Sequence, residues 1–165
     1  MSQSAKDDEK RAAIISAYNT FRFEFSKNSS IPFMKELKWD LGLENEGKRL
    51  LSECKKLEHK ENYRVYTSSH AVDPTLLLIA EKKFAEAVQL VNSRSEPFTN
   101  LLELIVPTQD KIACFKDTCH NNHEICLLGP NGKIHESDFG ATSNHSACTS
   151  IFFAFSLLLI SFFLS

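Results

Sequence analysis

The chain has 165 residues and a formal net charge of -2, from 19 Lys and Arg against 21 Asp and Glu. That length fits one domain with a core of its own. The charges are scattered in both signs rather than massed on one segment. This excludes nucleic acid as a partner, because phosphate binding needs a concentrated basic face.

Residues 1–11 read as a disordered N-terminus and residues 12–139 as the folded domain. Between residues 8 and 27, Ile14, Tyr18, Phe21 and Phe25 recur at helical spacing, which predicts an amphipathic helix. Asn28-Ser29-Ser30 and Pro32 then break it. Asp40 has the chemistry of an N-cap for a second helix with Leu43, Gly47, Leu50, Leu51, Cys54 and Leu57 on its inner side. Glu44 and Glu46 are assigned to the charged outer face of that helix. A third helix is predicted from Asp73 as cap and Pro74 at the first helical position. It continues through Leu77, Ile79, Phe84, Ala87, Val88 and Val91 to about Asn92. After Pro97 the runs KIACFKD and EICLLGP, each bounded by polar turn residues, predict paired strands. Gly129-Pro130-Asn131-Gly132 is turn chemistry. Helices followed by strands fit an α+β domain in which helices pack on an antiparallel sheet.

Residues 151–165, IFFAFSLLLISFFLS, carry no charge. A hydrocarbon core about 30 Å thick takes roughly 20 helical residues, so this tail is short for a span. Ahead of it, residues 140–150 form the small, polar stretch GATSNHSACTS. Small residues, a polar spacer and a terminal apolar tail make up the attachment pattern of a glycolipid (GPI) anchor. Gly140 with Ala141 and Thr142 is the candidate attachment triplet, and Ser143 to Ser150 the spacer. A short tail-anchored helix is the alternative. The first thirty residues offer no apolar leader, so the expectation is a start upstream of Met1. Sequons at Asn28 and Asn144 are compatible with a secretory route.

Five cysteines, Cys54, Cys114, Cys119, Cys126 and Cys148, include three within thirteen residues. They indicate either a disulfide framework or a metal site, and the compartment decides which. Cleavage after Gly140 would remove Cys148 and leave four, which permit three connectivities. In a reducing compartment, Cys114, Cys119, His120, His123 and Cys126 have spacings suited to zinc. Once bridged, the sulfurs cannot ligate.

Three stretches together carry a family resemblance: AYNTFR (17–22), PFMKELKWDLGLENEGKRLLSEC (32–54) and KIACFKDTCHNNHEICLLGPNG (111–132). In order and spacing they resemble the CAP superfamily, which comprises cysteine-rich secretory proteins, antigen-5 venom allergens and plant pathogenesis-related proteins; its domain is also called SCP. The first stretch is similar to the family's HNxxR segment, with Tyr18 where His is usual. The second retains Met34, Leu37, Trp39, Asp40, Leu43 and Cys54, and the third resembles the closing cysteine segment. The resemblance implies an α-β-α sandwich in an oxidising space, with Cys54 paired to Cys119 and Cys114 to Cys126.

Many family members hold a divalent metal between two His and two Glu. The resemblance carries the first His and the first Glu onto His59 and Glu61. The second Glu position, three residues after Phe84, falls on Ala87, with Glu86 one residue out of register. Pro97 stands where the last His would be. A vestigial site is therefore expected, with His59 and Glu61 solvated on a loop and no cofactor. The chain has no G-x-S-x-G, P-loop or G-x-G-x-x-G.

The resulting expectation is a non-enzymatic extracellular CAP-like domain on the outer face of the plasma membrane, GPI-anchored or secreted. Asn28 would carry a glycan, and the ligand would be a protein, a lipid or a sterol. The alternatives are a metal-dependent CAP-type enzyme, with His70 supplying the missing ligand, and a tail-anchored cytosolic protein with a zinc-binding hairpin.

Overall fold

The computed structural model describes residues 3–31, 33–67, 73–94, 96–119 and 123–140. Helix α1 spans Gln3–Ser29. The predicted helix is present, but residues 3–11, expected to be disordered, are its first turns. Arg11 ties that part of the helix down, reaching Asp8 at 2.9 Å and the Glu44 carboxylate at 2.8 Å.

Strand β1, Lys38–Trp39, leads into helix α2, Leu41–Ser52. The predicted cap is present: Asp40 Oδ1 accepts from the Leu43 N–H at 2.9 Å. Strand β2 is Arg64–Thr67. The third predicted helix is divided into α3, Leu76–Ala80, and α4, Phe84–Asn92. Lys82, at φ 57°, causes the break. The Lys82 N–H donates to Ile79 O at 3.0 Å and the Lys83 N–H to Leu78 O at 2.7 Å. This bond pair is a Schellman terminus, with Lys in the left-handed position that glycine usually takes. Asp73 still organises the start of this region, accepting from the Thr75 N–H at 2.7 Å and the Leu101 N–H at 2.6 Å.

A short helix α5, Leu102–Ile105, precedes the hairpin of β3, Lys111–Lys116, and β4, Glu124–Gly129. A 3-10 helix, Glu136–Phe139, follows. Among the described residues the strands form one sheet of order β1-β3-β4-β2. The β3–β4 and β4–β2 pairs are antiparallel, as expected, but β1 runs parallel to β3, so the sheet is mixed. A two-residue strand has no periodicity to read, so β1 left no trace in the sequence pattern.

Three layers result. On one face, Leu43 of α2 packs with Tyr63, Val65, Ala113, Ile125 and Leu127. On the other, Tyr18 of α1 and Leu104 of α5 pack with Ile112, Cys114, Cys126 and Leu128. Covering both faces is why EICLLGP reads as a continuous apolar run rather than an alternating one. Helix α2 lies so close to β3 that a Cβ on Gly47 would fall 2.1 Å from Phe115 Cε1. A further cluster joins the end of α1 to α3, α4 and α5 through Phe25, Ile79, Phe84, Val91 and Ile105.

Two residues of the AYNTFR stretch fix this frame. Asn19 clamps the Leu37 peptide, donating to its carbonyl at 2.9 Å and accepting from its N–H at 2.8 Å. Arg22, fully buried, donates to the carbonyls of Leu104, Val106, Lys35 and Gln109. Burial away from any carboxylate lowers its pKa to about 10.

Candidate functional site

Strand β2 and helix α5 bring a buried charged pair together next to His59. The Arg64 and Glu103 side chains are 4% and 0% exposed. Arg64 Nε donates to Glu103 Oε1 and Oε2 at 3.0 and 2.8 Å, and Nη2 donates to Oε1 at 2.6 Å. The rest of the guanidinium is also engaged. Nη1 donates to Asn92 Oδ1 at 3.2 Å and Gly132 O at 3.1 Å, and Nη2 to Val91 O at 3.4 Å. Asn100 Oδ1 accepts from the Glu103 N–H at 3.0 Å and so positions the carboxylate from behind. Burial pushes the Glu103 carboxyl's pKa up, against the opposing pull of Arg64.

His59 closes the cluster, with its side chain 7% exposed. Its Nδ1 accepts from the Val65 N–H at 3.1 Å, so in the neutral ring the proton sits on Nε2. Nε2 lies 3.7 Å from Glu103 Oε1 and has no hydrogen-bond partner. Burial, and then the charge of Arg64, lower the His59 pKa to about 4, so the ring is neutral at pH 7. These residues do not fit a divalent metal. The carboxylate oxygens are already held by a guanidinium, whose charge opposes a second cation, and the His59 nitrogen facing them carries hydrogen.

The expected surroundings of His59 and Glu61 are therefore corrected in part. His59 is packed inside, because the short loop between Cys54 and β2 folds it back onto the Val65 backbone. Glu61 is exposed and borders a separate surface groove of about 670 Å³, with Asp40, Glu46, Tyr63 and Lys111. The structure does not bring His59 and Glu61 together. Glu86 is exposed on α4 while Ala87 is fully buried, so the register shift read in the sequence turns that carboxylate outward.

Among the described residues, Cys54 is joined to Cys119 and Cys114 to Cys126, with Cα–Cα distances of 5.6 and 4.1 Å. These are the pairs that the resemblance implies. Cys114, Glu124 and Cys126 bring potential ligand atoms within 4.8 Å of one another, yet both sulfurs are bridged. The zinc-hairpin alternative is corrected on the same ground, since all three of its cysteines are in disulfides. Asn28 is exposed in the last turn of α1, and Gly140 caps the 3-10 helix at φ 81°. His70, His120, Ala141, Thr142, Asn144, Cys148, the spacer and residues 151–165 lie outside the described residues.

Glu44, assigned to the outer face of α2, is instead buried beneath α1. It accepts from Trp39 Nε1 and Lys48 Nζ, each at 2.6 Å, and Arg11 joins them. Burial alone would raise its pKa; hydrogen bonds from Lys48, Trp39 and Arg11 outweigh this and hold it at about 2. Trp39 is thus a polar anchor as well as an apolar one.

Sequence reading passed over Arg64 and Glu103. The signal was there in YRVY and LLELIV, where a lone charge interrupts each apolar run. A charge inside a buried element needs a partner of opposite sign.

The features above define an α+β domain of three layers with two disulfides and an internal Arg–Glu–His cluster. No family model matches the chain, and no curated protein matches it. Among solved structures, the chain is similar to hookworm platelet inhibitor at 19% identity, covering 81% of this chain and 83% of that one, with a TM-score of 0.45. Among the described residues, no helix is long and apolar enough to cross a membrane.

Proposed function

We propose that the chain is a non-enzymatic extracellular binding domain of CAP-like architecture, held at the outer cell surface by a GPI anchor on Gly140. The observation that carries the non-enzymatic reading is the engagement of Glu103 by Arg64, which fills the neighbourhood of His59 with a permanent cation. Two disulfides fit an oxidising compartment. The ligand is a protein or a lipid or sterol. The groove beside α2 supports the protein arm, since charged Asp40, Glu46, Glu61 and Lys111 line it. The competing reading, a metal-dependent enzyme, has the unpartnered His59 Nε2 in its favour.

The test has two arms. Zinc titration of the secreted domain by calorimetry is expected to give no tight site. One tight site abolished by His59→Ala would overturn the non-enzymatic reading. Phosphatidylinositol-specific phospholipase applied to intact cells is expected to release the protein with Gly140 as its last residue. Retention on the cells would overturn the anchor.

A further inference from the structure

The two disulfides are placed unlike each other. Cys114–Cys126 joins directly paired positions of β3 and β4 inside the core under α1, with Cys114 9% and Cys126 0% exposed. Cys54–Cys119 is at the surface, with Cys54 exposed and Cys119 half-buried. It ties the end of α2 to the turn that follows β3. The second bond is the more exposed of the two, and exposure governs which of them a thiol from solution attacks first.

The backbone on the α2 side of the surface bond is held by hydrogen bonds of its own. Cys54 follows Glu53, the C-cap of α2. The Cys54 N–H donates to Leu51 O at 3.1 Å and the Lys55 N–H to Leu50 O at 2.9 Å. This is again a Schellman terminus, made by local bonds that do not require the disulfide. Cys119 Sγ lies 3.2 Å from Leu51 O. A bridged sulfur has no hydrogen to donate to that carbonyl, whereas a thiol does. The acceptor for the reduced form is already in position.

Helix α2 and the hairpin also have contacts of their own besides this bond. Helix α2 is seated by Leu43 among Ala113 and Leu127, and by the approach of Gly47 to Phe115. Six residue pairs and the buried disulfide hold β3 against β4.

We propose that Cys54–Cys119 is a thiol-exchange switch, opened by an extracellular dithiol, with Cys114–Cys126 as the permanent bond. One thiolate of the dithiol attacks Cys54 Sγ and the S–S bond breaks. The electron pair leaves on Cys119 Sγ, which takes a proton and donates to Leu51 O. The second thiolate of the reductant attacks its own sulfur in the mixed disulfide, releasing Cys54 as a thiolate that is then protonated. The domain gains two electrons and two protons, and the dithiol becomes a disulfide. The oxidised state fastens residues 117–119, at the end of β3, to α2; the reduced state frees them and leaves the sheet unchanged.

The test uses the full secreted chain, titrated with dithiothreitol at neutral pH without denaturant, quenched with iodoacetamide and mapped by mass spectrometry. Cys54 and Cys119 are expected to carry label together, with Cys114 and Cys126 labelled only after denaturation. Hydrogen exchange is expected to rise at residues 117–119 and to stay unchanged at residues 51–55 and in β3 and β4. The Cys54→Ser/Cys119→Ser double variant is expected to unfold cooperatively and to match the reduced form in exchange. Labelling of all four cysteines at one rate, or of Cys114 and Cys126 first, overturns the proposal. So does loss of cooperative unfolding in the double variant.

Discussion

Replacing Glu103 with Gln removes the anion from a guanidinium that has no route to water. Both side chains are almost wholly enclosed, at 4% and 0% exposure, so solvent screening gives no relief. Breaking such a pair on one side costs about 3–5 kcal/mol, because a buried charge is left without its partner. Arg64 keeps Asn92 Oδ1 and the carbonyls of Gly132 and Val91, which places this case at the lower end, about 3 kcal/mol. That is a large share of the roughly 5–15 kcal/mol that holds a domain folded. Urea unfolding followed by far-ultraviolet circular dichroism should show a lower midpoint with an unchanged slope. Removing both charges at once, as Arg64→Met with Glu103→Leu, should cost under about 1.5 kcal/mol, since apolar side chains of similar volume replace a desolvated pair. A single substitution costing below ~1 kcal/mol, the range of exposed pairs, would refute the reasoning. So would a double variant whose loss equals the sum of the two single ones.

Further outcomes follow from other sites. The folded-state pKa of His59 is depressed to about 4 from 6.5, so the unfolded chain binds the extra proton across that window. Stability should therefore be complete above about pH 6.5 and fall by up to roughly 3 kcal/mol as pH drops towards 4, and His59→Gln should flatten that decline in pH-dependent melts. Glu44 is held at about 2 against an ordinary 4.5, so its contribution is lost as pH falls through that lower range. Glu44→Gln should cost roughly 1–2 kcal/mol near neutral pH and raise hydrogen exchange around Arg11 in α1. A Cβ on Gly132 would sit 1.6 Å from Lys60 O, so Gly132→Ala should lower stability by roughly 3 kcal/mol in urea unfolding, as overpacking against backbone.

What the sequence revealed follows the range of the forces involved. The Asp40 cap, the α1 spacing and the β3–β4 hairpin are local, and local pattern is enough to place them. The division between α3 and α4 escaped because Lys82 occupies a left-handed position that nothing in its side chain advertises. Glu44 and Glu46 lie two residues apart on α2, yet only Glu44 lies beneath α1 and beside Trp39. Helical position alone does not say which face a second helix will cover. The disulfide pairs came from resemblance and not from spacing, since four cysteines leave the choice open. The Arg64–Glu103 pair is the clearest omission: its halves stand 39 residues apart, and only the packing of α5 against β2 joins them.

Arg22 has a further effect at the edge of the sheet. Lys35, whose carbonyl it holds, leads into β1; Leu104, Val106 and Gln109 lead into β3. One planar fork on α1 thus sets the approach of both partners of the parallel pair, and a margin only two residues wide inherits its alignment from a helix beneath it. A lysine there, with a point charge in place of a fork, would reach fewer of those carbonyls and leave the margin open to recruitment by another chain.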